Sequence, residues 1–429
     1  MLSVFRSSWA LLLGVLLLMT GNGILATILG VRGAIEGFST FEMSLVMTGY
    51  FVGFLGGSSA APEMIRRVGH VRVFAALGSF ISAALILFPV FTDPYIWSLL
   101  RILVGFCFAG VYVTAESWLN NASTNENRGS AMAIYGVVLT GGIVVAQWMV
   151  SQGDASGYIM FILPSILISI SFAPILLSIS PAPPYEAGAP MSFRQVFNVS
   201  PLGLVGMTLM GGVYSALFGM ASVYGTEVGL SIGQLSTFIA TLYLGGLVLQ
   251  FPVGWISDRM DRRLLICVLA GMGAVGAILA GFGLGGYPGL IASSFLIGGA
   301  ANPLYGLLIA YTNDYLEPSD MSAAAGRLVF SNGLGAVAGP VFTGWLMSQV
   351  GPAGFFLFVF GLMASLCAYA LYRMTRRASV SVEDSGAYQP ITPGASPVSV
   401  AVAQEAAVEA AEEAAEEAAE EASGTQTAA

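Results

Sequence analysis

Lysine is absent from the 429 residues, and all 15 basic side chains are arginines. Charged residues together make up only 9%, against roughly 25% in an ordinary soluble chain. The composition is 56% hydrophobic with a mean hydropathy of +0.80, more apolar surface than a soluble protein of this size could hide, so a water-soluble enzyme is excluded. Cysteine occurs three times, as Cys107, Cys267 and Cys367, each inside an apolar run. No disulfide framework or metal-ligand spacing results, and they read as small core residues. The one histidine falls in an expected loop. No His-Glu-x-x-His, Gly-x-Ser-x-Gly or nucleotide-binding P-loop occurs, so no enzyme activity, cofactor or metal is expected, nor an ATP-driven pump.

What the chain does have is long apolar runs. A stretch of about 20 such residues crosses a bilayer as a helix. Twelve spans are expected, at 7–31, 44–62, 73–92, 95–119, 130–152, 157–179, 201–224, 235–256, 264–286, 288–313, 326–349 and 353–374. The fold class predicted is therefore all-α integral membrane. Placing the amino terminus in the cytoplasm puts Arg6, Arg66, Arg67, Arg72, Arg128, Arg194, Arg259, Arg262, Arg263, Arg327, Arg373, Arg376 and Arg377 in cytoplasmic loops or ends. That leaves only Arg32 and Arg101 outside the positive-inside pattern, which supports both the span count and two cytoplasmic termini. Residues 180–200 carry Pro181, Pro183, Pro184 and Pro190, cannot be helical throughout, and separate two sets of six spans, 1–179 and 201–377. The net charge of −9 belongs to the tail, 378–429, which holds ten of the 24 acids. Without it the body stands at +1 and offers no footprint for nucleic acid. The tail reads as a Ser/Pro/Gly linker followed by a Glu/Ala repeat over Glu405–Glu421, expected to be a solvated helix or disordered.

The two sets can be superposed in sequence. Gly37-Phe38-Ser39 with Glu42 and Ser44 matches Gly229-Leu230-Ser231 with Gln234 and Ser236 at an offset of 192, and the same offset lays Arg66-Arg67-Val68-Gly69-His70 over Asp258-Arg259-Met260-Asp261-Arg262. Glu116-Ser117-Trp118-Leu119 answers Asn313-Asp314-Tyr315-Leu316 at 197, and Arg128 answers Arg327 at 199. Slowly growing offsets are what loop insertions produce in a duplicated unit.

On these motifs the chain resembles the major facilitator superfamily. Gly254-Trp255-Ile256-Ser257-Asp258-Arg259-Met260-Asp261-Arg262-Arg263 is similar to the family's Gly-x-x-x-Asp-Arg-x-Gly-Arg-Arg loop, with Asp261 in place of the later glycine. The loop at Pro62–His70 is a degenerate copy, and Arg101 with Gly105 and Gly110 is similar to an arginine-plus-glycine signature of the fourth span. Gly335-x-x-x-Gly339-Pro340 resembles a signature usual in the fifth span of exporters, but it stands in the other half. Gly-Phe-Ser, Arg-Arg-Val-Gly-His-Val-Arg and Glu-Ser-Trp-Leu-Asn resemble a bacterial, YcaD-like branch. The resemblance covers 1–377. It implies two six-helix bundles around a central path and a solute held near the midplane, with access alternating between the two sides of the inner membrane.

Two sets of residues become candidates. Arg66, Arg67, Arg128 and Glu116 in one half, with Asp258, Arg259, Arg262, Arg263, Asp314 and Arg327 in the other, are expected to form a cytoplasmic gate. Asp314 is the natural partner for the second arginine cluster, and Glu116 for the first. Alternatively, the arginines only set orientation. Along the path the candidates are Asn22, Tyr50, Arg101, Tyr112, Gln147, Tyr214, Tyr243, Asn302, Tyr305 and Asn332, each of which also reads as a helix–helix hydrogen bond. Arg101, close enough to the outer surface to snorkel, is a cation for a polar or anionic solute group, a participant in proton coupling as the resemblance implies, or an interhelical anchor. No acid lies near the middle of a span, so the expected solute is neutral, amphipathic or anionic rather than cationic. The function expected is secondary transport of a small solute by a lipid-embedded monomer, with protons as the candidate coupling ion. The alternative is a transport-fold sensor that signals through its acidic tail.

Overall fold

The computed structural model describes residues 2–176 apart from 122 and 124, residues 191–377, and scattered positions between 380 and 404. Every regular element among them is helical, and no strand occurs among the described residues. In chain order these are α1 (Leu2–Ile35), α2 (Thr40–Val68), α3 (His70–Leu87), α4 (Pro94–Asn121), α5 (Asn125–Ser151), α6 (Ile159–Ser171) and α7 (Ala173–Leu176). Then follow α8 (Phe193–Val199), α9 (Pro201–Ser215), a π-helical segment (Ala216–Met220), α10 (Ala221–Glu227), α11 (Ile232–Ser257), α12 (Arg262–Gly281), α13 (Gly286–Asn313), α14 (Pro318–Val350) and α15 (Ala353–Met374).

Local sequence sets several helix starts. Gly37 adopts φ 77° and hands the chain to Ser39, whose hydroxyl caps α2 while Glu42 reaches back to the Ser39 amide. Gly229 (φ 73°), Ser231 and Gln234 build the same capping box on α11. A side chain at φ near +75° is strained, and the box satisfies two amides that the first turn leaves open. Pro94, Pro201 and Pro318 each open a helix where no amide is needed. His70, expected in a loop, is instead the first residue of α3, buried with Nε2 2.9 Å from Ser117 Oγ.

Nine helical stretches among the described residues are long and apolar enough to cross a membrane. The three expected spans that do not meet this measure fall at α2, α14 and α6 with α7. α2 and α14 run 29 and 33 residues, but they pack on each other and also on α4 and α9, and their sequences are diluted by the glycines and serines such packing needs. α6 spans only 13 residues, and the expected run beyond Leu176 lies outside the described residues. Large apolar side chains such as Trp148, Ile159, Phe251 and Phe282 face outward, as lipid contact requires.

Helix packing repeats along with the sequence. A methyl group on Gly53 would overlap the Ile102 carbonyl of α4, and one on Gly245 would overlap the Phe295 carbonyl of α13. Gly105 abuts the Tyr50 carbonyl as Gly298 abuts that of Leu242. Gly142 of α5 likewise crowds the Leu16 carbonyl of α1, and Gly335 of α14 crowds that of Thr208 on α9. All these pairs are related by offsets of 192 or 193. Backbone-to-glycine contact on this pattern is how small residues bring membrane helices together.

Candidate functional site

α1, α2, α4 and α5 face α9, α11, α13 and α14 across a central cavity. Asn22, Tyr50, Tyr112, Tyr214, Tyr243, Asn302 and Asn332 all line it. Its floor is aromatic. Phe218 stacks on Tyr214 at 5.9 Å and 12°, and meets Tyr50 at 5.7 Å and Phe51 at 6.2 Å. Phe54 closes against Tyr112 at 5.8 Å. Phe218 belongs to the π-helical segment, whose widened turn re-aims side chains relative to a regular helix.

Polar groups along the wall differ in how free they are. Asn332 donates to the Met207 carbonyl at 3.1 Å, so it ties α14 to α9 while lining the cavity. The Tyr112 hydroxyl points at Met19 Sδ, 2.9 Å away. Asn22 is buried beside the Tyr50 hydroxyl, yet neither of its amide atoms has an aligned partner. An unpaired buried amide costs on the order of 1–3 kcal/mol, which an incoming polar group would recover.

Three expected path residues stand outside this lining. Gln147 accepts from the Thr27 hydroxyl at 3.1 Å and joins α5 to α1 beside a smaller pocket. Tyr305 is buried with an unpartnered hydroxyl. Arg101 does not snorkel. It has no exposure, its guanidinium carbon lies 4.6 Å from the Tyr50 ring centroid, and none of its three nitrogens has a hydrogen-bond partner. Gly49 and Gly105 bring α2 so close to α4 that the guanidinium is enclosed under Tyr50 before it can turn outward.

At the Thr40 end the cavity is shut. The Thr40 hydroxyl donates to Glu227, Ser222 donates to the Ala26 carbonyl at 3.3 Å, and Ser44 packs against Gly344. At the opposite end Arg262 is the hub. It pairs with buried Asp314, approaches Asp258 at 3.5 Å, and donates to Ser257 Oγ and the Ala310 carbonyl, each at 3.2 Å. Burial pushes the Asp314 carboxyl above its ordinary range, against the opposing pull of Arg262. Arg263 pairs with Asp261 at 2.7 Å. Arg259 lies over the Trp255 ring at 4.2 Å, and Arg327 over Phe193 at 5.1 Å while donating to the Met191 carbonyl. Arg66 and Arg67 pair with Glu63 of their own helix, at 2.8 and 2.5 Å, rather than with Glu116. Glu63 lies one turn before them, and bonds from both arginines hold its carboxyl below the usual range. The side chain of Arg128 lies outside the described residues.

Glu116 is buried, accepts from the Tyr135 hydroxyl at 3.2 Å, and takes a second bond from a source not anticipated, the Ser396 amide at 3.1 Å. Residues read in the sequence as a solvated linker thus enter the molecule. The Tyr388 amide donates to Asp258 at 2.8 Å, and Gly386 bonds both Asp314 and Arg262. Gln404 donates to Asn313 at 2.8 Å, and Pro393 reaches the cavity wall. Tyr388, Ile391, Val400 and Val402 supply the apolar surface that holds this stretch down. The Glu405–Glu421 run lies outside the described residues.

Comparison with known proteins follows the same lines. The profile described as Major Facilitator Superfamily matches residues 11–241 and 203–408. The chain belongs to that superfamily. The match passes beyond Arg377, where the sequence resemblance was expected to stop. The uncharacterized MFS-type transporter YcaD of Salmonella arizonae is 27% identical over 372 residues, 86% of this chain and 95% of that protein. The uncharacterized MFS-type transporter YfkF of Bacillus subtilis is 26% identical over 345 residues, 79% of this chain and 88% of that one. Among solved structures, a mutant of the nucleoside transporter NupG superposes with a TM-score of 0.73 at 13% identity, over 85% of this chain and 99% of that one. The human organic anion transporter MFSD10 gives 0.58 at 14% identity, over 86% and 99%. The protein is therefore a YcaD-like superfamily transporter, a multi-pass membrane protein of the class that moves small solutes. These relatives are transporters, which gives the sensor alternative no support.

Proposed function

We propose that the chain is a secondary active transporter of the bacterial inner membrane that moves a small neutral or anionic, ring-bearing amphipathic solute by alternating access. Two six-helix bundles, 1–179 and 201–377, flank the cavity and are joined by the cytoplasmic loop 180–200, with both termini in the cytoplasm. The glycine contacts repeated at offsets of 192 and 193 support the two-bundle reading. The arginine distribution supports a cytoplasmic Arg262 end and an external Thr40 end, and on that reading the state described is closed to the outside.

The observation that carries this reading is the cavity lining. Tyr50, Phe51, Phe54, Tyr112, Tyr214, Phe218 and Tyr243 offer ring faces, Asn22, Asn302 and Asn332 offer amides, and no charged side chain lines it among the described residues. Stacking surfaces interleaved with amides suit a planar solute with polar edges, and the absence of a carboxylate disfavours a cation. Arg101, enclosed behind Tyr50, supplies a cation that an anionic edge could reach once the ring turns aside.

The test is a solute panel in proteoliposomes, with nucleosides, aromatic carboxylates and quaternary ammonium compounds, each with and without an imposed pH gradient. Saturable uptake of a neutral or anionic ring compound is expected, and acceleration by an inward proton gradient would assign proton coupling. Uptake of the quaternary ammonium compounds alone would overturn the solute class.

A further inference from the structure

We infer that the described residues between Gly386 and Gln404 act as a built-in plug, which seats in the cytoplasmic vestibule and holds the transporter in its outward-closed state until it is displaced. The inference rests on the transport reading above for what the vestibule is. The seating itself stands on contacts alone.

Three observations carry it. First, the segment bonds to both sides of the vestibule. Ser396 donates its amide to Glu116 on α4 at 3.1 Å, while Tyr388 and Gly386 hold Asp258, Asp314 and Arg262 around α11 to α13. Gln404 donates to Asn313 at 2.8 Å. Glu116 and Asn313 are the positions matched at an offset of 197, so corresponding residues of the two halves grip one strand of chain. Second, the body is shaped for it. Tyr388 lies in a slot floored by Gly254 and Gly306, where an added methyl would come within 2.6 Å of its Cδ1 and 2.9 Å of its hydroxyl oxygen, respectively. Third, the segment reaches the solute space, because Pro393 lines the same cavity as Tyr50 and Asn302.

Closing the cytoplasmic side requires the ends of α4 and α13 to approach, and this segment lies between them. Solute release to the cytoplasm uses the same opening. A seated plug therefore blocks both exits from the described state, and its amides add to the bonds that Glu116 and Asp314 make within their own halves.

Accessibility of reporter cysteines in the full-length protein, purified in detergent and with Cys107, Cys267 and Cys367 replaced by alanine, tests this without knowledge of the solute. Ser58→Cys reports on the cavity wall and Ser396→Cys on the seat. The probe is a membrane-impermeant charged maleimide, and the displacing substitutions are Y388D and, separately, I391D. Both change only the segment, so the helical body keeps its packing. Slow labelling is expected at both reporters in the parent. With either displacing substitution both should label faster by about tenfold or more, the factor expected if a plug seated at least ten to one is released. Fast labelling of Ser396→Cys in the parent would overturn the seating. An unchanged Ser58→Cys rate after release would overturn the blocking role. Because the readout is access rather than flux, a failure of every solute in the proteoliposome panel would not mimic either result.

Discussion

Arg101 is the residue whose environment is hardest to explain by stability. An arginine within a span costs roughly 2.5–3.5 kcal/mol by insertion measurements, and this one has neither solvent exposure nor a hydrogen-bond partner to offset that, only the face of Tyr50. Groups retained at such a cost are kept for what they do in another conformation. Arg101→Met, which fills the space without the charge, should therefore raise the thermal midpoint of the purified protein while reducing uptake of any solute found by the panel. A lowered midpoint would mean that the guanidinium holds α2 and α4 together. The sequence disclosed Arg101 because charge inside an apolar run is conspicuous. It disclosed the tyrosines and asparagines of the cavity for the same reason. Phe51, Phe54 and Phe218 were not legible, since phenylalanine in an apolar helix carries no mark of which face it takes. The spacing of Tyr50, Phe51 and Phe54 was the one available signal.

Among elements, the helix pairs α2 with α4 and α11 with α13 show how far the duplication extends. The capping motifs were readable as Gly-Phe-Ser and Gly-Leu-Ser, and they became the same capping box in both halves. The glycine contacts were not readable, because 54 glycines give no hint of which touch a backbone. If Gly53 and Gly245 are equivalent, Gly53→Ala and Gly245→Ala should each destabilise the fold, on the order of 1–3 kcal/mol from overpacking, and lower the thermal midpoint to a similar extent. Gly141→Ala, where nothing lies within 4 Å, should leave it unchanged. Melting of the three proteins side by side decides it, and a neutral Gly53→Ala would remove close packing as the reason for the repeat. The π-helical segment and the docked residues after Gly386 also escaped the sequence. One depends on the register of a single turn. The other hides scattered apolar residues, Tyr388, Ile391, Val400 and Val402, in a composition that reads as linker.

Across the whole molecule, the two-bundle reading proposed above gives each half one wall of the cavity. The Thr40 end is sealed directly between the walls, and the Arg262 end is bridged by the chain's own continuation. Of the ion pairs the sequence suggested within each half, Arg262 with Asp314 forms, whereas Glu116 is not paired by Arg66 or Arg67, which pair with Glu63. On the two-bundle reading proposed above, the halves in the described state meet along α2 with α14 and α5 with α11, at the Thr40 seal and through the docked segment, and these contacts must rearrange if the walls are to rock. Electron spin resonance between spin labels at the exposed neighbours Phe41 and Val228, in full-length protein reconstituted in lipid, reads the Thr40–Glu227 seal without removing it. The account predicts a short distance that coexists with, or gives way to, a longer one when a transported solute is added or the segment is displaced by Y388D. A single short distance under all these conditions would contradict alternating access.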